Sequence, residues 1–217
     1  MVDMRRQENL SQWLMRLLWL MLFIDLLVVA SDLSDAILMF RLPDELNDAQ
    51  AAAFEGSAYR QYALAWMAIA STLAAYIAAW RWTYGANETL RAAGIKGMNF
   101  TPIGSVVWHL VPVANFFLPY QAMKEIWRAS SLRDDWQAEP TPQIFPLWWF
   151  FWLATPVVTA FALRSNSSTM AEYRVDSIWI LVADVMFVLL DINYIWIVAR
   201  IMDRMYRLVE QPPAAEV

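Results

Sequence analysis

The sequence predicts an all-α integral membrane protein with four transmembrane helices plus a proline-containing re-entrant or interfacial hairpin. Three observations predict it. Of the 217 residues, 59% are hydrophobic, against about 45–50% in a soluble domain. The apolar residues are gathered into blocks rather than dispersed on amphipathic faces. There are 13 Trp, a residue favoured where hydrocarbon meets lipid headgroups.

A crossing helix needs roughly 20 mainly apolar residues to cover about 30 Å of hydrocarbon. Residues 1–12 read as a cytoplasmic N-terminus. Residues 13–30 form the first predicted span, with Arg16 near its start and Asp25 inside it. This run is long and lacks a small-residue exit, so no cleavable signal is expected. Residues 62–82 form the second span and carry no charge before Arg81. The third, 145–163, opens on Leu147, Trp148, Trp149, Phe150, Phe151 and Trp152. The fourth, 177–199, qualifies despite Asp184 and Asp191. Helix is the expected form, because a lipid-exposed segment must satisfy its own backbone hydrogen bonds. Residues 31–61 read as an acidic outer connection with a short surface helix over 44–54, and 83–101 and 121–142 as inner connections. Past Ala199 the last helix continues through Ile201, Met205 and Leu208, with Arg200, Arg204 and Arg207 as its basic face. Residues 13–210 are thus expected to be one membrane domain, and 211–217 a disordered tail. No internal repeat supports an inverted-repeat transporter fold.

Residues 102–119 are apolar but short, and they hold Pro102, Pro112 and Pro119. Proline removes a backbone donor and disrupts a helix interior. Lys and Arg concentrate in cytoplasmic loops, so their placement tests whether this segment crosses. If it does not cross, twelve Lys and Arg lie inside and four outside. If it crosses, the split is eight against eight. The first arrangement obeys the rule. It gives four spans, both termini cytoplasmic, and a hairpin at 102–119.

The central part of the chain carries a pattern. Trp80, Arg81 and Trp82 end one span, and the run Ala86 to Gly94 follows. Trp108, Pro112 and Asn115 come next, then the block Pro119-Tyr120-Gln121-Ala122-Met123-Lys124-Glu125-Ile126-Trp127, and the pair Trp148-Trp149. This pattern, over about 62–204, resembles a bacterial membrane family designated domain of unknown function 4328. It departs from the family at Thr89, where Asn is usual. The resemblance implies a multi-pass bacterial inner (plasma) membrane protein, and it implies no activity.

The candidate site residues fall in three groups. Asp25, Asp184 and Asp191 are carboxyls in apolar spans, where a charge costs about 2.5–3.5 kcal/mol on insertion scales and normally faces a bundle interior. Asp184 and Asp191 are seven residues apart, hence about 10 Å apart on one helix face. They suit either a proton or cation site, with Asp25 as a neighbour, or hydrogen bonds that fix helix packing. His109 and Asn115 suit a polar cavity lining, or satisfaction of the backbone freed by Pro112. Arg81, Arg91, Lys124, Glu125 and Arg128 suit an anionic lipid headgroup, or a clamp in which Glu125 pairs with Arg91 or Arg81.

Several classes are excluded or unsupported. The net charge is −5 and the pI about 4.9, which disfavours nucleic acid as a partner. With no Cys there is no disulfide or thiolate chemistry. A single His supports neither a multi-histidine metal site nor paired haem ligation. No nucleophile motif or phosphate loop is present. The expectation is a non-enzymatic protein without cofactor or metal, binding membrane lipid or a membrane protein partner, with a homo-oligomer open. The alternative is a proton- or cation-coupled transporter or channel subunit using the intramembrane Asp residues.

Overall fold

A computed structural model of the chain describes residues 4–132, 135–163 and 167–210. The expected tail 211–217, together with Arg133 and Arg164 of the charge count, lies outside them. Among the described residues six α-helices follow one another: α1 Met4–Arg41, α2 Asp48–Ala92, α3 Gly104–Val107, α4 Leu118–Ala129, α5 Ile144–Ala162 and α6 Met170–Glu210. Three helical stretches among the described residues are long and apolar enough to cross a membrane: Arg5–Arg41, Asp48–Ala92 and Ile144–Ala162. Their apolar windows are at most 39% buried within the protein, so most of that surface is left for lipid. Trp19, Phe23, Trp66, Leu73, Phe150 and Val157 are among the large side chains it exposes. The fourth expected span, 177–199, lies inside α6, whose apolar run holds Asp184 and Asp191.

Two elements are longer than hydropathy implies. α1 continues eleven residues past Ala30 to Arg41, and α2 begins at Asp48. The outer connection expected over 31–61 is therefore only 42–47. The separate short helix expected over 44–54 is in fact the first turns of α2. They are started by a reciprocal cap: Asn47 N–H donates to Gln50 Oε1 at 3.0 Å and Gln50 N–H to Asn47 Oδ1 at 2.9 Å. At its other end α2 runs to Ala92. It stops where Ile95 N–H donates to Leu90 O (3.2 Å) and Gly94 N–H to Arg91 O (3.0 Å), the two bonds of a Schellman termination. Gly94 sits at φ +92°, a conformation that favours glycine.

Residues 102–119 contain α3 and two single 3-10 turns, Trp108–Leu110 and Ala114–Phe116. Proline's ring pushes the residue before it out of the helical region. Val111, before Pro112, is accordingly extended at φ −98°, ψ 112°. No helix in this stretch is long enough to cross a bilayer.

Among the described residues, packing gives two compact units, one from 4–18, 74–149 and 193–210 and the other from 19–73 and 150–192. In the first, Leu14, Leu18, Trp82, Leu90, Ile126, Ile197 and Ile201 are at most 1% exposed, which makes this the tighter core. Trp82 Nε1 donates to Ser11 Oγ at 3.0 Å, and Arg6 pairs with Glu88 at 3.0 Å. A Cβ on Gly85 would meet the tip of the Gln7 side chain of α1, a flexible group that would have to move aside. In the second unit, Met39, Leu42 and Met170 form a small core with Leu38, Leu46 and Phe54 against it. Phe54 meets Tyr173 edge-on at 5.3 Å.

Candidate functional site

The second unit sets α1 antiparallel to α6, and polar contacts fix the register. Arg174 Nη2 donates to Leu42 O at 2.8 Å and its Nε to Met39 O at 3.1 Å. A cation on the last carbonyls of a helix complements its dipole. From there the pairing steps down both helices. The Asp32 side chain is within hydrogen-bond range of Asp184, and Asp25 within range of Asp191. The two pairs are one heptad apart on each helix, about 10 Å. Asp25, Asp32, Asp35 and Asp191 are each at most 8% exposed. Asp184 is half-buried. Asp184 Oδ2 and Asp191 Oδ2 have no hydrogen-bond donor among the described residues.

α2 covers the upper end of this column. Gln61 Nε2 donates to Asp32 Oδ1 at 3.0 Å and to Asp35 Oδ2 at 2.7 Å. Arg60 donates to Ser31 Oγ at 2.9 Å and pairs with Asp35. Arg60 is the only cation among the described ion pairs of this column. α5 adds Thr155, fully buried, and Thr159 one turn on, whose Oγ1 atoms are likewise without a partner among the described residues.

Asp25 and Asp191 of the sequence candidates are thus brought together, and Asp184 meets Asp32. Asp32, Asp35, Gln61 and Arg60 were not singled out by the sequence reading, because 31–61 read as an outer connection. The signal was present: Asp32 follows Asp25 by seven, the same spacing as Asp184 and Asp191.

The first unit holds the remaining candidates. Glu125, 6% exposed, does not take Arg91 or Arg81 as its partner, as the sequence suggested. Its Oε1 accepts Asn99 N–H at 2.6 Å and Asn99 Nδ2 at 2.9 Å, and its Oε2 accepts Phe100 N–H at 2.9 Å. Arg91 grips the same loop by its carbonyls, donating to Met98 O at 3.0 Å and Phe100 O at 2.7 Å. Buried Asn87 completes the clamp by donating to Phe100 O at 2.9 Å and accepting from Arg91 Nε. Opposite charges satisfy opposite backbone groups, and the expected ion pair is replaced by a loop held between them. Arg81 has no part in this clamp.

His109 Nδ1 lies 3.0 Å from Val106 O, with its ring 6.0 Å from that of Trp80. Asn115 Oδ1 is buried without a partner among the described residues. Lys124 lies over the Tyr120 ring at 5.2 Å. Arg128 keeps a buried Nε without a hydrogen-bond partner there. Burial pushes the Tyr120 hydroxyl above its ordinary pKa, opposed by the nearby Arg128 charge. The cation–π pairs Arg200–Trp196 at 5.5 Å and Arg204–Trp127 at 4.1 Å flank the stacked rings of Trp127 and Trp196. No group of three or more acidic or histidine side chains among the described residues is arranged to hold a metal ion.

The family model described as Domain of unknown function (DUF4328) matches residues 45–203. The chain belongs to this family. No curated protein and no solved structure matches it. The family range includes Asp184, Asp191, Arg91 and Glu125 but leaves out Asp25, Asp32 and Asp35. The DUF4328 region thus contains one member of each carboxyl pair, and α1 of this chain supplies the other.

Proposed function

We propose that this DUF4328 protein is a non-enzymatic, four-span bacterial inner-membrane protein that moves protons through the carboxyl column between α1 and α6. The observation that carries this reading is the double pairing Asp25–Asp191 and Asp32–Asp184. Two like charges at roughly 4 Å repel by about 4 kcal/mol even at an effective dielectric of about 20. Carboxyls in contact within an apolar bundle therefore share a proton rather than both ionise. Two such pairs in series, about 10 Å apart, are successive stations that can each hold a proton along the column. Asp35 and half-exposed Arg60 form the mouth of the column.

The topology of this reading has both termini cytoplasmic and 102–119 as a hairpin that dips into the inner face. Besides the charge split, it is supported by the bond from Trp136 Nε1 to Lys96 O at 3.2 Å. That bond brings the chain on either side of 102–119 back to one place.

The test is proton uptake by proteoliposomes under an imposed potential, followed with a trapped pH dye. Asp191→Asn keeps a hydrogen bond to Asp25 but cannot relay a proton. It is expected to slow uptake at least roughly tenfold, as loss of a positioned proton carrier does. Unchanged uptake in Asp191→Asn and Asp184→Asn would reject the reading.

A second reading, lipid binding at the inner face, is favoured by Arg128, whose Nε is buried without a partner, with Lys124 four residues before it. Basic residues beside the membrane attract anionic headgroups. Arg128→Gln should lower co-purification of phosphatidylglycerol if this reading holds, and leave it unchanged if not.

A further inference from the structure

The second unit contains four buried polar atoms without a hydrogen-bond partner among the described residues: Thr155 Oγ1 and Thr159 Oγ1 on α5, and Asp184 Oδ2 and Asp191 Oδ2 on α6. α5 and α6 form an antiparallel hairpin in contact at Phe161 and Trp179, whose rings meet edge-on at 5.4 Å. Counting six residues back along α5 from Phe161 reaches Thr155. Counting five on along α6 from Trp179 reaches Asp184. At about 1.5 Å per residue these two positions lie at nearly the same depth. Thr159 is one turn from Thr155 on the same face of α5.

Thr155 is fully buried and Asp191 is 3% exposed, so neither side chain reaches bulk solvent. Buried hydroxyls and carboxyls are almost always hydrogen-bonded, and where protein supplies no partner an ordered water commonly does. A threonine hydroxyl in a helix usually donates back to the carbonyl one turn earlier, which neither Thr155 nor Thr159 does. Both hydroxyls are therefore available to a third party. The carboxyl oxygens on α6 are acceptors that need a donor, and each threonine both donates and accepts.

We propose that Thr155 and Thr159 of α5, with Asp184 of α6, form an internal water site beside the carboxyl column. The ligand is water, held by hydroxyl and carboxyl oxygens without a metal-type acidic cluster. Thr155 and Thr159 are positioning residues that act through this water on Asp184. The inference deepens the proton reading and rests on it for its meaning in transport, but the site itself stands on the unpartnered atoms.

The deciding experiment compares Thr155→Val, Thr159→Val and Thr155→Ser in the full chain. Valine matches threonine in shape and removes only the hydroxyl. If the hydroxyl holds water, Thr155→Val loses a hydrogen bond and Tm falls, while Thr155→Ser restores it. If the hydroxyl has no partner at all, removing it relieves a desolvation penalty and Tm rises, which overturns the proposal. Infrared spectroscopy gives a readout independent of folding stability. The protonated-carboxyl C=O band assigned to Asp184 by its absence in Asp184→Asn should shift to higher frequency in Thr155→Val. An unmoved band overturns the proposal as well. Proton uptake separates the two ideas. A Thr155-dependent band in a protein that carries no protons would refute transport and retain the water site. Transport with an unmoved band would do the reverse. A sodium-dependent change in the same band would show a cation in the site and reject water as its ligand.

Discussion

At the scale of single residues, the carboxyl pairs carry the sharpest consequences. Asp191 is 3% exposed and faces Asp25. An amide there can still hydrogen-bond to Asp25, whereas leucine leaves a buried carboxyl unpaired. Asp191→Asn should therefore preserve stability to within about 0.5 kcal/mol, in line with the modest size of interhelical polar contacts in membranes. Asp191→Leu should cost about 1–3 kcal/mol, the penalty of stranding a buried polar group. Unfolding in mixed detergent would measure both, and equal stabilities would mean that Asp25 does not depend on Asp191. Glu125 gives a parallel case. It accepts three N–H donors, and Glu125→Gln would turn an amide NH₂ towards at least one of them. A loss of about 1.5–3 kcal/mol is expected, as for hydrogen bonds to charged groups, with faster proteolysis near Met98 to Phe100. The sequence marked Asp25, Asp184 and Asp191 because a charge in an apolar stretch is conspicuous, and Glu125 because it stands among basic residues with which it could pair. It could not mark Thr155, because a threonine hydroxyl in a span is ordinary until its partners are known.

At the scale of elements, apolar stretches were legible and their ends were not. Hydropathy falls at Ser31 and Asp32, so the first span was closed at Ala30. Yet α1 continues, because Asp32 and Asp35 point inward to Gln61, Arg60 and Asp184 while Leu33 and Ile37 point outward. A window average cannot see which face a charge occupies. The caps were written in the sequence. Thr169 and Glu172 form a capping box: Glu172 N–H donates to Thr169 Oγ1 at 3.3 Å, and Glu172 Oε2 accepts from Ser168 N–H at 2.7 Å and Thr169 N–H at 3.1 Å. These backbone bonds from Ser168 and Thr169 hold the Glu172 carboxyl below the usual range. A depressed carboxyl stabilises the start of α6 at pH above its unfolded value, and that contribution is lost as pH falls through the folded value. The protection factors of the Ser168 and Thr169 amides, taken against their intrinsic exchange rates, should fall as pH drops from about 5 to about 3. Glu172→Gln should show no such step, and a step that survives this change would assign it to another group.

For the whole molecule, membrane character and helical class were evident from composition. The division into two units was not, since long helices contribute to both and no sequence boundary marks it. The topology is open to direct measurement. Cysteines at Lys96 and Asp135, both exposed, should react alike with an impermeant thiol reagent: protected in intact spheroplasts, labelled in inverted vesicles. Opposite behaviour would mean that 102–119 crosses.

The heptad-matched pairing of α1 with α6 also bears on how the protein enters the membrane during synthesis. Each Asp of α6 opposes partitioning by about 2.5–3.5 kcal/mol when the helix meets lipid alone. Asp32 and Asp25 can offset that only if α1 is already in place, and only one alignment engages both at once, because a slip of seven residues leaves one carboxyl on each helix unmatched. On the four-span reading proposed above, integration of α6 thus depends on α1. Expressed without residues 1–41, α6 should be left largely unintegrated in a glycosylation-reporter assay, and supplying α1 as a separate chain should restore it.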